Sequence, residues 1–276
     1  MKVGFFYTPN QTDQHRLALK AMRTGVSKSE DCFIQYDSKH EECDLAVTWG
    51  IHKLRLPCTE TRKIIHDEQK LQGKRTMVIE LGYVNRDRYY SVGYDSQNGW
   101  ADFRNKDMPP DRWSLLGAEL KEYRKNGDHI LLCGQVPWDT SVQHVDYNQW
   151  CIDTIKTIKN STNKPIVFRP HPLAHDAVGE LPDVTVSNKA SLKEDLDNCW
   201  AVVALNSNAL VEAVIEGVPI FACNDGSMAQ GVSNNLVDLD NPRLHDREQW
   251  AYNLAYSQWT TREMKKGLTW EHLKET

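Results

Sequence analysis

Short apolar runs alternate with segments of helical period along most of the chain. In the first half the runs are Val3–Tyr7, Cys32–Tyr36, Leu45–Trp49 and Thr76–Glu80. Between them, Gln14–Thr24 places Leu17, Ala21 and Thr24 on one helical face, and Thr61–Leu71 carries Ile64, Ile65 and Leu71. Strand, helix, strand in succession predicts parallel α/β units. From Tyr83 to Phe103 the texture changes to Tyr, Arg, Asp, Gly and Asn, which predicts a loop with short antiparallel strands. Asp111–Lys125 then reads as a helix on Leu115, Leu116 and Leu120, and the turn Asn126-Gly127-Asp128 marks a domain junction.

The alternation restarts after that turn. Strands are expected at His129–Cys133, Pro165–Phe168, Val184–Val186, Trp200–Leu205 and Val218–Cys223. Helices are expected at Asp146–Lys159, at Ser191–Asn198 with Ser191 as N-cap, and at Ala209–Glu216 closed by Gly217. The tail from Asp246 to Lys274 reads as two helical segments. The expected division is 1–126, 127–245 and a helical tail 246–276. Polar residues follow the second-half strands directly: Gln135, Arg169 and His171, Asn206 to Asn208, and Asp225. In an open parallel sheet such positions share the carboxyl edge, where ligands bind.

Composition narrows the classes. At 276 residues with 40% hydrophobic and 26% charged residues, the chain is long enough for one large or two medium globular domains. A net charge of −5 is no nucleic-acid footprint, although a local basic patch is compatible with it. Cys32, Cys43, Cys58, Cys133, Cys151, Cys199 and Cys223 form no CxxC pair, so neither a disulfide framework nor a zinc ribbon is indicated and a reducing cytoplasm fits. Met1–Tyr7 is too short and too soon followed by Asn10-Gln11-Thr12-Asp13 to resemble a signal peptide, and no apolar run reaches the ~18 residues of a spanning helix.

Two segments carry the chemistry. Arg169-Pro170-His171-Pro172 holds two cationic donors on a backbone stiffened by proline, a composition suited to a phosphate and to charge on a leaving group. A plain proline-rich turn with a surface histidine is the competing reading. Asn206-Ser207-Asn208 precedes Ala209–Glu212 at a helix N-terminus, where free N–H groups favour anions. There Ser207 or Asn208 is placed for phosphate and Glu212 for ribose hydroxyls, against the alternative of a simple cap and a solvated glutamate. His175 adds an HxxxH spacing without a carboxylate motif, and Asp238-Leu239-Asp240 reads as loop. No GxGxxG or GxxxxGK[ST] occurs.

Four segments in order resemble the capsular-polysaccharide β-Kdo transferase family and its compact relatives. They are Glu80-Leu81-Gly82-Tyr83 with Arg88 and Ser91-Val92-Gly93; Gly134-Gln135-Val136 with Asp139-Thr140-Ser141-Val142; Arg169-Pro170-His171-Pro172; and Ser207–Ala213 with Gly217-Val218-Pro219. The resemblance implies a GT-B-like α/β fold of two facing Rossmann-like domains, the first on the acceptor side and the second holding the donor. It implies an inverting, metal-independent transfer from a nucleotide-sugar co-substrate with no further cofactor. Carried over by residue, Arg169 and His171 face the donor phosphate, and Gln135, Asn206, Ser207, Asn208 and Glu212 line the nucleotide. Glu80 is the general base, with Asp95 and Asp13 as rivals, and an ion pair of Glu80 with Arg86 or Arg88 is the structural alternative. Arg88, Tyr90 and Trp100 are acceptor-side candidates; cross-strand aromatic pairing accounts for such residues equally well. Arg169 stands where the family commonly has Lys. The acceptors that fit are a hydroxymethylated pyrimidine in phage DNA or a bacterial surface glycan. A nucleotide-sugar epimerase and a non-catalytic nucleotide- or glycan-binding protein are the competing classes.

Overall fold

The computed structural model describes residues 1–8, 11–36, 39–51 and 60–274; Cys58, and Asn10 of the turn after the first strand, lie outside the described residues. Two compact units emerge: Met1–Arg112 with Tyr252–Thr276, and Trp113–Ala251. They divide the chain elsewhere than the turn at Gly127 suggests, and the end of the chain belongs to the first unit.

The first unit is built on a six-stranded sheet ordered β11-β5-β4-β3-β1-β2. Strands β1 (Lys2–Tyr7), β2 (Asp31–Tyr36), β3 (Leu45–Trp49) and β4 (Arg75–Leu81) are parallel, and β5 (Tyr89–Tyr94) runs antiparallel to β4. Side-chain alternation sends Val3 and Phe5 into one core and Phe6 into another. The first core includes Ala18, Leu19, Met22 and Val26 of α1 (Asp13–Val26), Met264 of α7 (Thr261–Lys266), and Trp270 and Leu273 of α8 (Leu268–Leu273). The second core takes Ile65 of α2 (Glu60–Leu71). Both helical faces are rotated from the expected ones. Leu17, Ile64 and Leu71 are exposed, while Arg62, Ile65 and Gln69 form the buried stripe of α2. Thr12 caps α1 in a capping box: its Oγ1 accepts from the His15 N–H (3.4 Å), and His15 Nδ1 accepts from the Thr12 N–H (3.3 Å).

The tail contributes a strand as well as helices. β11 (Gln258–Thr260) pairs antiparallel with β5. Gln258 Oε1 accepts from the N–H groups of Tyr83 (2.7 Å) and Val84 (3.1 Å). Arg112 pins the same segment: it lies 3.8 Å over the Trp259 ring, pairs with Glu263 (2.6 Å) and donates to the Gln258 carbonyl (2.9 Å).

The second unit carries an all-parallel sheet ordered β10-β9-β6-β7-β8. Its strands are β6 (His129–Cys133), β7 (Ile166–Arg169), β8 (Thr185–Val186), β9 (Cys199–Ala204) and β10 (Ile220–Ala222). Asp146 caps α3 (Tyr147–Ser161), Ser191 caps α4 (Leu192–Leu196) as expected, and α5 (Ala209–Ile215) ends at Gly217 with φ +75°. α6 (Glu248–Ala255) leads the chain back to the first unit. Ile130, Leu132, Ile155, Ile158, Phe168, Val203 and Phe221 form the core. The expected helix Asp111–Lys125 does not form. A 3₁₀ segment spans Pro110–Leu116, Gly117 adopts φ +65°, and the chain then docks on the end of α5 through Lys121 N–H to Ile215 O and Arg124 N–H to Gly217 O, both 2.9 Å. A Cβ on Gly217 would stand 2.1 Å from the Glu122 carbonyl oxygen, so this close approach requires glycine. Among the described residues no helix is long and apolar enough to cross a membrane.

Candidate functional site

In the first sheet, β1 leads through α1 to β2 on one side, and β3 leads through α2 to β4 on the other. Such a reversal of strand order opens a crevice at the carboxyl ends of the two central strands. Thr8 follows β1 there, Gly50 follows β3, and Glu80 is the penultimate residue of β4. Arg62 reaches them from α2: its Nε donates to Thr8 Oγ1 at 3.2 Å. Arg62 is 5% exposed, so its charge lies inside the unit. Gly50 adopts φ +62°, and the point where its Cβ would stand is 2.4 Å from Glu80 Oε1 and 3.3 Å from Arg62 Nη1. The carboxylate and guanidinium therefore converge on the space that glycine leaves open. Arg62, and neither Arg86 nor Arg88, is the cation that these contacts bring to Glu80. His15 stacks on Trp49 at 4.1 Å at the same edge, where Asp13 opens α1.

Asp95 and Trp100 are not part of this cluster. β5 runs antiparallel to β4, so Asp95, just after it, lies beside Thr76, about 13 Å along the strand from Glu80. Its carboxylate is committed to Arg75 Nε (2.7 Å) and to the Thr76 N–H (2.8 Å). Trp100 sits in the 3₁₀ turn Asn98–Trp100 beside the Tyr94–Asp102 bridge, at that same far end. Tyr90 lies opposite Leu81, at the correct end, but it is buried and meets Trp49 edge-on at 5.9 Å. It serves the core. Arg88 is exposed at the near end of β5.

At the carboxyl edge of the second sheet, β6 and β9 are joined by a pair of amides. Gln135 Nε2 donates to Asn206 Oδ1 (2.6 Å), and the Asn206 N–H donates to Gln135 Oε1 (2.9 Å). Asn206 Nδ2 continues to the Ser141 carbonyl (2.9 Å) and to Asn224 Oδ1 (3.2 Å), which also accepts from the Gly226 N–H (2.8 Å). Asn224 Nδ2 in turn donates to His144 Nε2 at 2.9 Å. The Gln135 and Asn206 side chains are buried and hydrogen-bonded to each other, and they hold three loop ends in register at the edge where a nucleotide was expected. Tyr147 Oη accepts from the Gln135 N–H at 2.7 Å, and burial pushes its phenol pKa far above the usual range.

The two cations of the proline loop part company. Arg169 Nη1 donates to Asp195 Oδ2 (2.5 Å) and to the carbonyls of Lys189 (3.3 Å) and Ser191 (3.2 Å). Asp195 is 4% exposed and also accepts from Ser187 Oγ. Arg169 thus ties β7 to α4 through its Nη1. His171 has the opposite character. It is half-buried, and its Nδ1 accepts from the Leu173 N–H at 3.1 Å, so the neutral ring carries its proton on Nε2. Gly134 lets the two strand ends close up: a Cβ there would lie 3.1 Å from Arg169 O and 3.3 Å from His171 N.

On the same edge, Ser207 Oγ accepts from the Ala209 N–H (3.3 Å), and Asn208 Nδ2 donates to the exposed Glu212 at 3.3 Å. Asn208 therefore organises Glu212 and does not cap α5 with its side chain. His175 is an exposed partner of Asp176, and Leu239 of the Asp-Leu-Asp sequence is buried with its carbonyl accepting from Trp200 Nε1 (2.7 Å). Among the described residues no group of three His, Cys, Asp or Glu is placed to hold a metal. Burial pushes the thiols of Cys151 and Cys223 up to about 12, so neither is a nucleophile at neutral pH.

Neither a family model nor the sequence of a curated protein matches the chain. Solved structures do. A β-Kdo 2,4 transferase, KpsC of Thermosulfurimonas dismutans, matches with a TM-score of 0.60 at 11% identity, over 94% of this chain and 91% of that one. A KpsC β-Kdo 2,7 transferase from the same organism matches with a TM-score of 0.52 at 10% identity, over 98% and 99%. At such identities the likeness is one of fold. The chain has the GT-B-like α/β fold of these β-Kdo transferases, the fold to which its four motif segments point.

Proposed function

We propose that the chain is a glycosyltransferase that moves a sugar from a nucleotide-sugar donor to an acceptor hydroxyl with inversion at the anomeric carbon. One observation carries the reading. On the fold of two β-Kdo transferases, the motif residues Glu80, His171, Ser207 and Glu212 all stand at carboxyl ends of parallel strands or just beyond them. In the reaction, the acceptor oxygen attacks the anomeric carbon and its proton passes to Glu80. The bond from that carbon to the donor phosphate breaks, and the nucleotide leaves with the electron pair. The Nε2–H of His171 donates to the departing phosphate oxygen, Ser207 lies beside the phosphate, and Glu212 accepts from the ribose. Charge on the leaving group is met by these donors without a metal ion. A surface glycan is the acceptor we favour, because the four motif segments resemble the capsular-polysaccharide β-Kdo transferase family.

The test is an incubation with UDP-, CMP- and GDP-sugars in the presence of EDTA. Each donor is offered a lipid-linked glycan, hydroxymethylated DNA and unmodified DNA, and released nucleotide and acceptor mass are read. A mass gain on the glycan is expected, and Glu80→Gln is expected to abolish it while nucleotide binding persists. A gain on hydroxymethylated DNA alone would reassign the acceptor. Nucleotide binding without turnover for every pair would overturn the transferase reading in favour of a binding protein.

A further inference from the structure

The charge of the first unit is unevenly distributed. α1, α7 and α8 contribute to one core; their outer surface carries Arg16, Lys20, Arg23, Arg262, Lys265 and Lys266, and Lys28 stands in the turn just after α1. All are exposed except Arg23, which is half-buried. None of the seven is in an ion pair among the described residues. The acidic residues of these helices offset little of this charge. Glu263 is bound to Arg112 and Glu271 to Lys274, which leaves Asp13 at the start of α1. The helices meet closely: a Cβ on Gly25 would stand 2.0 Å from the Met264 carbonyl oxygen, and Lys28 Nζ donates to the Lys266 carbonyl at 2.8 Å. The cations of α1 and α7 therefore belong to one layer, on a chain whose net charge is −5.

Two leucines share that surface, Leu17 at 46% and Leu268 at 48% exposure. We propose that this α1–α7–α8 surface docks the protein on an anionic lipid bilayer. Phosphate headgroups neutralise the unpaired cations, and the two leucines enter the headgroup boundary. A nucleic-acid partner fits less well. The one aromatic residue of the three helices, Trp270, is 2% exposed and unavailable for stacking on a base, and exposed leucines gain nothing from a phosphate backbone. The inference is independent of the transfer reaction.

The experiment is flotation of the full chain with phosphatidylcholine vesicles and with vesicles containing about one-third phosphatidylglycerol, at low and at physiological salt. Binding is expected to the anionic vesicles alone and to weaken with salt. Removal of two charges in the double variant Lys265→Gln/Lys266→Gln should weaken it by about 25-fold, near fivefold per charge. Leu17→Gln should weaken vesicle binding and leave retention on heparin unchanged. Lys63→Gln/Lys70→Gln on α2 should have no effect. Absence of binding to anionic vesicles, equal loss from the α2 variant, or tighter binding to duplex DNA than to vesicles at matched salt would each overturn the proposal.

Discussion

Gly50→Ala separates placement of the proposed base from stability of the fold. The substitution asks an L-residue to adopt φ +62°, which costs about 1–2 kcal/mol. It also puts a methyl group 2.4 Å from Glu80 Oε1, where ordinary contact begins near 3.4 Å. The obstacle is the end of a side chain and not backbone, so the carboxylate can yield by about 1 Å. A base displaced by that distance is expected to lose turnover by about 100-fold, because proton transfer depends steeply on the near-attack geometry. The melting temperature should fall by only about 2–8 °C. The assay is transfer under saturating donor and acceptor, alongside thermal unfolding and equilibrium nucleotide binding. Nucleotide binding should be unchanged. A folded Gly50→Ala protein with turnover within threefold of wild type would refute the assignment of Glu80 as the base.

Three other outcomes are expected. His171→Ala should lower the turnover number by about 100- to 1,000-fold with no change in melting temperature, since the ring stands in a polar loop and outside the core. Asp195→Ala should destabilise the second unit by about 3–5 kcal/mol in urea titration, because it leaves the largely buried Arg169 without its carboxylate partner. Burial alone would raise the Glu263 carboxyl, but hydrogen bonds from Arg112 and from Thr260, with the Arg112 charge, hold it below the usual glutamate value. Its contribution to stability is therefore complete above the ordinary carboxylate range and is lost as pH falls through the lowered value; Glu263→Gln should flatten the melting temperature across that acid window.

The strands of both sheets were legible because parallel strands covered on two faces read as unbroken apolar runs, and β3 and β6 lie where those runs place them. Helix faces were less legible. Leu17 and Ile64 are apolar yet point outward, and the small residues Ala18 and Ala21 fill the interior of α1. β11 was missed because three residues between two helices give no periodicity. The false helix at Asp111–Lys125 followed its leucines past Gly117, the residue whose positive φ ends the turn. At the candidate sites, the motif residues fall at the carboxyl edges of both sheets, but the partners that hold several of them were not legible. Gln135, Asn206 and Arg169 satisfy one another or a buried carboxylate, which depends on distant partners that no local pattern reveals. Arg62 belongs to no motif. It did leave a trace: it shares the i, i+3, i+7 stripe of α2 with Ile65 and Gln69, and a cation on a buried stripe asks for a partner.

β11 also bears on the order in which the molecule can be made. The ribosome delivers β1 to β5 first, then the whole of the second unit, and only then the three residues that close the edge of β5 and the helices that cover one face of its sheet. The second unit is continuous in the chain and free to fold as it emerges. The first must wait, with Val92 and Tyr94 uncovered and a strand edge unpaired, until β11, α7 and α8 have followed the second unit out. A nascent chain stalled before Tyr252 would therefore be the species most prone to aggregate, and chaperone demand should peak while the second unit is being translated.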